Sequence, residues 1–197
     1  MSTDACPPRE VSLALVHEYV SSVPLIRHML AVEATVRAYA RQRGADELLW
    51  GTAALLHDFD YERWPHTPDH PVQGSRILGE RGYPAEVIYA ILSHADSLQE
   101  LYPRRSPLDH TLYACDELSG FLTACALVRP ARLTGLEPAS VRKKMKQASF
   151  AAAVSRDDLV RGAAALGVDL DDHIRFCIAA LEPLAADLGL QSESPTV

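Results

Sequence analysis

Apolar side chains in this chain recur at spacings of three and four residues nearly throughout, and few stretches alternate with period two as a half-buried strand would. The periodicity predicts an all-α fold. Helices are expected over roughly 9–20, 24–43, 46–58, 70–82, 84–96, 107–128, 138–153, 156–166 and 169–188. Pro24, Pro71, Pro84 and Pro138 stand near the starts, where a missing N–H costs little, and Gly44, Gly82 and Gly167 near the stops. With 197 residues, 48% of them hydrophobic, the chain is sized for one compact domain, residues 1–197, with a substantial core. Residues 1–8 and 189–197 carry few periodic apolar positions and read as loose ends.

Charge and cysteine usage narrow the partners. A net charge of -7 argues against general binding to nucleic acid or to an anionic membrane, while leaving room for a local basic site. No apolar run reaches the roughly 18 to 20 residues that a membrane helix needs. Cys6, Cys115, Cys125 and Cys177 form no Cys-x-x-Cys pair and no secretory signal precedes them, so the cytoplasm is the expected location.

The chemistry centres on Leu55-Leu56-His57-Asp58, where an apolar helix runs into an imidazole and a carboxylate. An isolated His-Asp pair is as a rule a cap or a surface pair, and the company it keeps is what suggests a metal. His28 shares the inward face of the second helix with Leu25, Met29, Val32, Val36 and Tyr39, as either a hydrogen-bonded core residue or a ligand. Asp58 continues the face of Trp50, Ala53, Ala54 and His57, where a buried carboxylate needs a counter-charge or a metal. His70 opens the next helix in His70-Pro71-Val72-Gln73-Gly74, and His94 ends the apolar stripe of Val87, Ile88 and Ile91. Asp116 lies in a segment apolar on several faces. His66, between Pro65 and Pro68, is a weaker candidate, and His17, His110 and His173 look like ordinary helix residues.

The ordered set His28, His57-Asp58 and Asp116 resembles the signature of the HD-domain superfamily, all-helical metal-dependent phosphohydrolases, over roughly residues 24–128. His70 and His94 are similar to its HDIG-like, two-metal subgroup. The resemblance implies that His28, His57, Asp58 and Asp116 hold a first metal, and that His70, His94 and a bridging Asp58 hold a second. Where several two-metal members carry paired histidines, this chain has His94-Ala95, which removes a ligand unless water or Asp96 replaces it. An all-nitrogen and oxygen set suits one or two ions of Fe, Mn, Co, Ni, Zn or Mg. The implied activity is hydrolysis of a small phosphate ester or nucleotide by a metal-activated hydroxide, with Asp58 catalytic and Asp60, Glu62 and Asp96 as proton-transfer candidates or surface acids. The same superfamily includes mixed-valence diiron oxygenases, and a non-catalytic, metal-stabilised interaction domain is a third reading.

Beyond this core a helical extension is expected over about 138–188. All three lysines of the chain, Lys143, Lys144 and Lys146, fall in one four-residue span, and no acid occurs between Glu137 and Asp157. With Val141, Met145, Ala148 and Ala152 as the buried stripe of one helix, Lys144 flanks the stripe and Lys143 points away. The span is either a solvated basic face or an anion clamp for a phosphorylated substrate, with Arg129 as partner and Lys144 and Arg129 acting on the reacting phosphate.

Overall fold

The computed structural model describes residues 5–192, and among them nine α-helices and no strand. They are α1 (Arg9–Tyr19), α2 (Val23–Arg43), α3 (Glu47–Leu56), α4 (Asp69–Glu80), α5 (Ala85–His94), α6 (Pro107–Leu127), α7 (Pro138–Met145), α8 (Arg156–Leu166) and α9 (Leu170–Leu181). The all-α expectation holds. Short 3-10 turns, Asp96–Leu98 and Glu182–Leu184, follow α5 and α9. The chain divides into two compact units, one up to Tyr113 and one from Ala114, and the division falls inside α6. No helix among the described residues is long and apolar enough to cross a membrane.

The first unit is built on α3, against which α1, α2 and α5 all pack. Three neighbours leave α3 little solvent-facing surface, so every residue from Trp50 to Leu56 is buried and the helix is apolar all round. Its start is set by Asp46, whose carboxylate accepts from the Leu49 N–H at 3.0 Å. Just before it, α2 stops at Gly44, held at φ 66°, a left-handed conformation that suits glycine. The inward face of α2 contributes Met29, Val32, Val36 and Tyr39, along with one buried acid, Glu33. Glu33 is neutralised where it lies: Arg9 donates to it at 2.6 and 2.7 Å and Arg37 at 3.3 Å. The end of α3 therefore sits at a fixed place, with His57 as its C-cap.

In the second unit α9 packs against both α7 and α8. Ser155 and Asp169 cap α8 and α9 through their side-chain oxygens, and Gly167 at φ 70° closes α8. Here the structure corrects the sequence reading twice. α7 ends at Met145 rather than near 153, so Ala148 and Ala152 are exposed and form no buried stripe. The reason is Arg156, whose guanidinium donates to the carbonyls of Gln147, Ala151, Val154 and Phe150, giving this backbone partners other than a helical ladder. The C-terminal end is not loose as far as it is described. Leu188 and Leu190 are buried, and the Leu133 N–H donates to the Leu190 carbonyl at 3.1 Å. The rest of that expected tail, residues 193–197, and residues 1–4 lie outside the described residues.

Gly162 of α8 has a packing reason to be glycine. A Cβ there would stand 2.8 Å from the Ala114 Cα, a backbone atom that cannot swing aside. Gly162→Ala should therefore lower stability by about 1 to 3 kcal/mol despite the better helix propensity of alanine, as read by chemical denaturation. A neutral or stabilising result would contradict the close packing.

Candidate metal centre

Five side chains from four places in the first unit converge. His28 comes from the inward face of α2, His57 and Asp58 from the end of α3, His70 from the first turn of α4, and His94 from the last residue of α5. One carboxylate is common to all of them. Asp58 Oδ2 lies 3.5 Å from His57 Nε2 and 3.8 Å from His28 Nε2. Its other oxygen, Oδ1, lies 3.2 Å from His70 Nε2 and 3.7 Å from His94 Nε2. Each oxygen thus faces two ring nitrogens, and the residues form two donor groups, His28 with His57 and Asp58, and Asp58 with His70 and His94.

The far nitrogens of three rings are held, which fixes their tautomers. His57 Nδ1 donates to the Ala54 carbonyl at 2.8 Å, and His94 Nδ1 to the Ile91 carbonyl at 2.5 Å. These acceptors are the carbonyls three residues back, released where each helix ends, so a helix terminus supplies both the candidate ligand and its orienting partner. His70 lies where the backbone of α4 departs from helical geometry, and its Nδ1 donates to Asp60 Oδ1 at 2.7 Å. With Nδ1 of these three rings engaged from behind, it is their Nε2 atoms that are turned toward Asp58. His57, His70 and His94 are buried, while the side chains of His28 and Asp58 keep 23% and 16% of their exposure, so solvent reaches the cluster on that side.

Burial works to raise the Asp58 pKa, but the surrounding His57, His70, His94 and His28 rings outweigh it and hold the carboxyl well below its ordinary range. For His70, burial works to lower the pKa, and the hydrogen bonds to Asp58 and Asp60 outweigh it and carry it to about 9. The cluster therefore has a permanent anion at its centre and a strong attraction for positive charge. Donor chemistry and convergence both fit hard or borderline cations with nitrogen and oxygen ligands.

Residues 25–120 match the HD domain family model. The chain carries an HD domain. No curated protein and no solved structure matches the chain significantly. The matched span of the HD domain includes all six expected ligands, of which the first unit brings together His28, His57, Asp58, His70 and His94. Asp116 belongs to the second unit, in the middle of α6.

Three acids near the HD centre have now separate roles. Asp60 is buried, and besides His70 it accepts from the Gly74 N–H at 2.7 Å, so it orients the His70 ring. Glu62 binds the backbone N–H groups of Ser21 and Ser22 at 3.0 and 2.9 Å, which ties the α1–α2 turn down, and Asp96 pairs with Arg104 at 2.6 Å. Arg104 is a residue that sequence reasoning missed: it also donates to the His94 carbonyl at 2.6 Å and lies 3.5 Å over the Tyr113 ring. It is ten residues from His94 in an irregular segment, where periodicity carries no signal.

The expected anion residues lie in the second unit. Cys125, Arg129, Leu136, Ser140, Lys143, Lys144 and Gln147 line a cavity of about 340 Å³. Lys144 Nζ lies 4.6 Å from the Phe150 ring centroid, and Arg129 donates to the carbonyls of Arg132 and Gly135 at 2.5 and 2.9 Å. Lys143, expected to point away, lines the cavity, while Lys146 is exposed and does not.

Gly74 is the check on the Asp60 relay. A Cβ at Gly74 would come within 2.7 Å of the Asp60 carboxylate. Gly74→Ala should push Asp60 off His70 and weaken metal retention roughly 10- to 100-fold, the usual effect of disturbing a ligand's orienting partner. Metal titration of the folded variant measures it, and unchanged affinity would remove Asp60 from the ligand-orienting role.

Proposed function

We propose that this protein is a metal-dependent phosphohydrolase acting in the cytoplasm, as a single domain, on a small phosphate ester or nucleotide. The observation that carries the reading is the central carboxylate: Asp58 presents one oxygen to His28 and His57 and the other to His70 and His94. That is the arrangement a bridging ligand needs. We assign His28, His57, Asp58 and Asp116 to one cation and Asp58, His70 and His94 to a second. The place of Asp116 rests on its position in the ordered ligand set of HD domains.

Bound there, one or two divalent cations would lower the pKa of water and neutralise the phosphoryl oxygens. The chain's own residues do the rest. His57 and His94 are held rigid by backbone carbonyls and His70 by Asp60, so the donor geometry exists before a substrate arrives. Asp58 remains ionised across the physiological range, because its imidazole neighbours keep its pKa low. Its partial exposure, shared with His28, gives a phosphate ester and water a way in. We assign the cavity lined by Arg129, Lys143 and Lys144 to recognition of the substrate's anionic part, with Lys144 and Arg129 acting on the phosphate and Lys146 contributing at long range.

The metal assignment and the reaction type are tested together. Asp58→Ala should abolish metal retention and hydrolysis of phosphate esters and nucleotides, and wild-type turnover should persist under strict anaerobiosis. Turnover lost without oxygen, and regained with stoichiometric O₂ uptake, would move the function to a diiron oxygenase.

The anion assignment has its own test. Losing a charged hydrogen bond to phosphate costs about 1.5 to 3 kcal/mol, so Lys144→Ala should lower kcat/KM roughly 10- to 150-fold with metal content intact. Unchanged efficiency in that variant and in Lys143→Ala would leave the lysines a solvated basic face.

A further inference from the structure

A second group of chemically soft side chains lies in the second unit and is used by nothing above. Cys115 of α6 and His173 and Cys177 of α9 are buried, and one ligand atom from each lies within 4.8 Å of the others. His173 and Cys177 are four residues apart on one face of α9, which points both at Cys115. His173, an ordinary helix residue by its sequence neighbours, lies in α9 and is 1% exposed.

The ring of His173 is set as a ligand's ring is set. Its Nε2 lies 3.0 Å from the Ala114 carbonyl, and a carbonyl only accepts, so the proton is on Nε2. Burial lowers its pKa, which keeps the ring neutral and leaves Nδ1 a lone pair, 3.6 Å from Cys177 Sγ. The carbonyl doing this belongs to the residue before Cys115, and Gly162 lets α8 press against that same residue, with room for no Cβ. One S–H donating to Nδ1 accounts for 3.6 Å and the other thiol pairs with the first, so two sulfurs and one ring nitrogen converge on one point. A tetrahedral ion with bonds of about 2.3 Å to sulfur and 2.0 to 2.1 Å to nitrogen sets sulfur and nitrogen ~3.5 Å apart, and it needs all three groups.

We propose that Cys115, His173 and Cys177 bind a divalent, thiophilic cation, Zn²⁺ in the first instance, that fastens α6 to α9 within the second unit. On binding, the two thiols release their protons to solvent. Two thiolates, a neutral imidazole and a dication then sum to zero charge, which a buried, apolar site tolerates. Three protein ligands leave one position for water or a small anion. The ion is acquired as the chain folds, because the ligands are enclosed afterwards. This site stands independently of the HD centre.

Cobalt separates the two sites, because the HD ligand set contains no cysteine and gives no thiolate-to-Co²⁺ charge transfer. Full-length protein produced in cobalt-supplemented medium, folded by circular dichroism, should show that near-ultraviolet absorption. It should persist in Asp58→Ala and disappear in Cys115→Ser and Cys177→Ser, with cobalt content falling by about one ion per chain. Folded wild-type protein with cobalt bound but no thiolate absorption overturns the proposal, as does absorption that survives both serine variants. Should the serine variants fail to fold, the Asp58→Ala chain decides: cobalt with thiolate absorption supports the site, and a cobalt-free chain refutes it.

Discussion

The first unit is organised by one carboxylate. Asp58 carries a charge among buried rings, and four imidazoles from three helices and a helix junction must be oriented toward it at once. Such an arrangement is costly unless each ring is held from behind, since an imidazole free to rotate would turn its proton toward the carboxylate and close the site to a cation. The fold meets this by ending helices at the centre. α3 and α5 stop at His57 and His94, where carbonyls of the last turn have lost their helical partners and accept from Nδ1 instead. The same termination that makes these segments stop places and orients their imidazoles at the centre.

How much of this is legible in sequence depends on the range of the interaction. The length and burial of α3 follow from an unbroken apolar run, and His57-Asp58 falls at its end by counting alone. His28 and His94 lie on apolar stripes, so helical periodicity aims them inward, and their order along the chain matches a known ligand set. Asp60 is less legible. Next to a charged loop it reads as either a surface acid or a partner, and only the close approach of the Gly74 N–H and His70 decides that it is buried. Arg104 is illegible, because its partners His94, Asp96 and Tyr113 lie on both sides of it with no shared period.

The second unit shows the opposite failure. A helix over 138–153 follows from propensity and from Val141 and Met145, yet Arg156 takes the carbonyls of Gln147, Phe150, Ala151 and Val154 and the helix ends after two turns. A nearby side-chain cation thus overrides the helical preference, and Lys143 and Lys144 line the cavity from the last turn of the shortened helix. Cys115, His173 and Cys177 were separated in the sequence by nearly sixty residues and by an apparently polar setting around His173. Only the packing of α6, α8 and α9 brings them together.

The two clusters handle charge in opposite ways, and this bears on when each needs its ion. In the HD centre, His70 with a pKa of about 9 itself supplies positive charge beside Asp58 and Asp60, so the first unit has an internal counter-charge. A cation bound there would have to displace that proton, so its affinity would depend on pH. The thiol cluster has no such substitute charge, because two thiols and a neutral ring carry none. Its attraction for metal begins only when sulfur ionises. The first cluster is therefore partly open and carries fixed charge, whereas the second is enclosed and uncharged, so the two would take up a cation under different conditions.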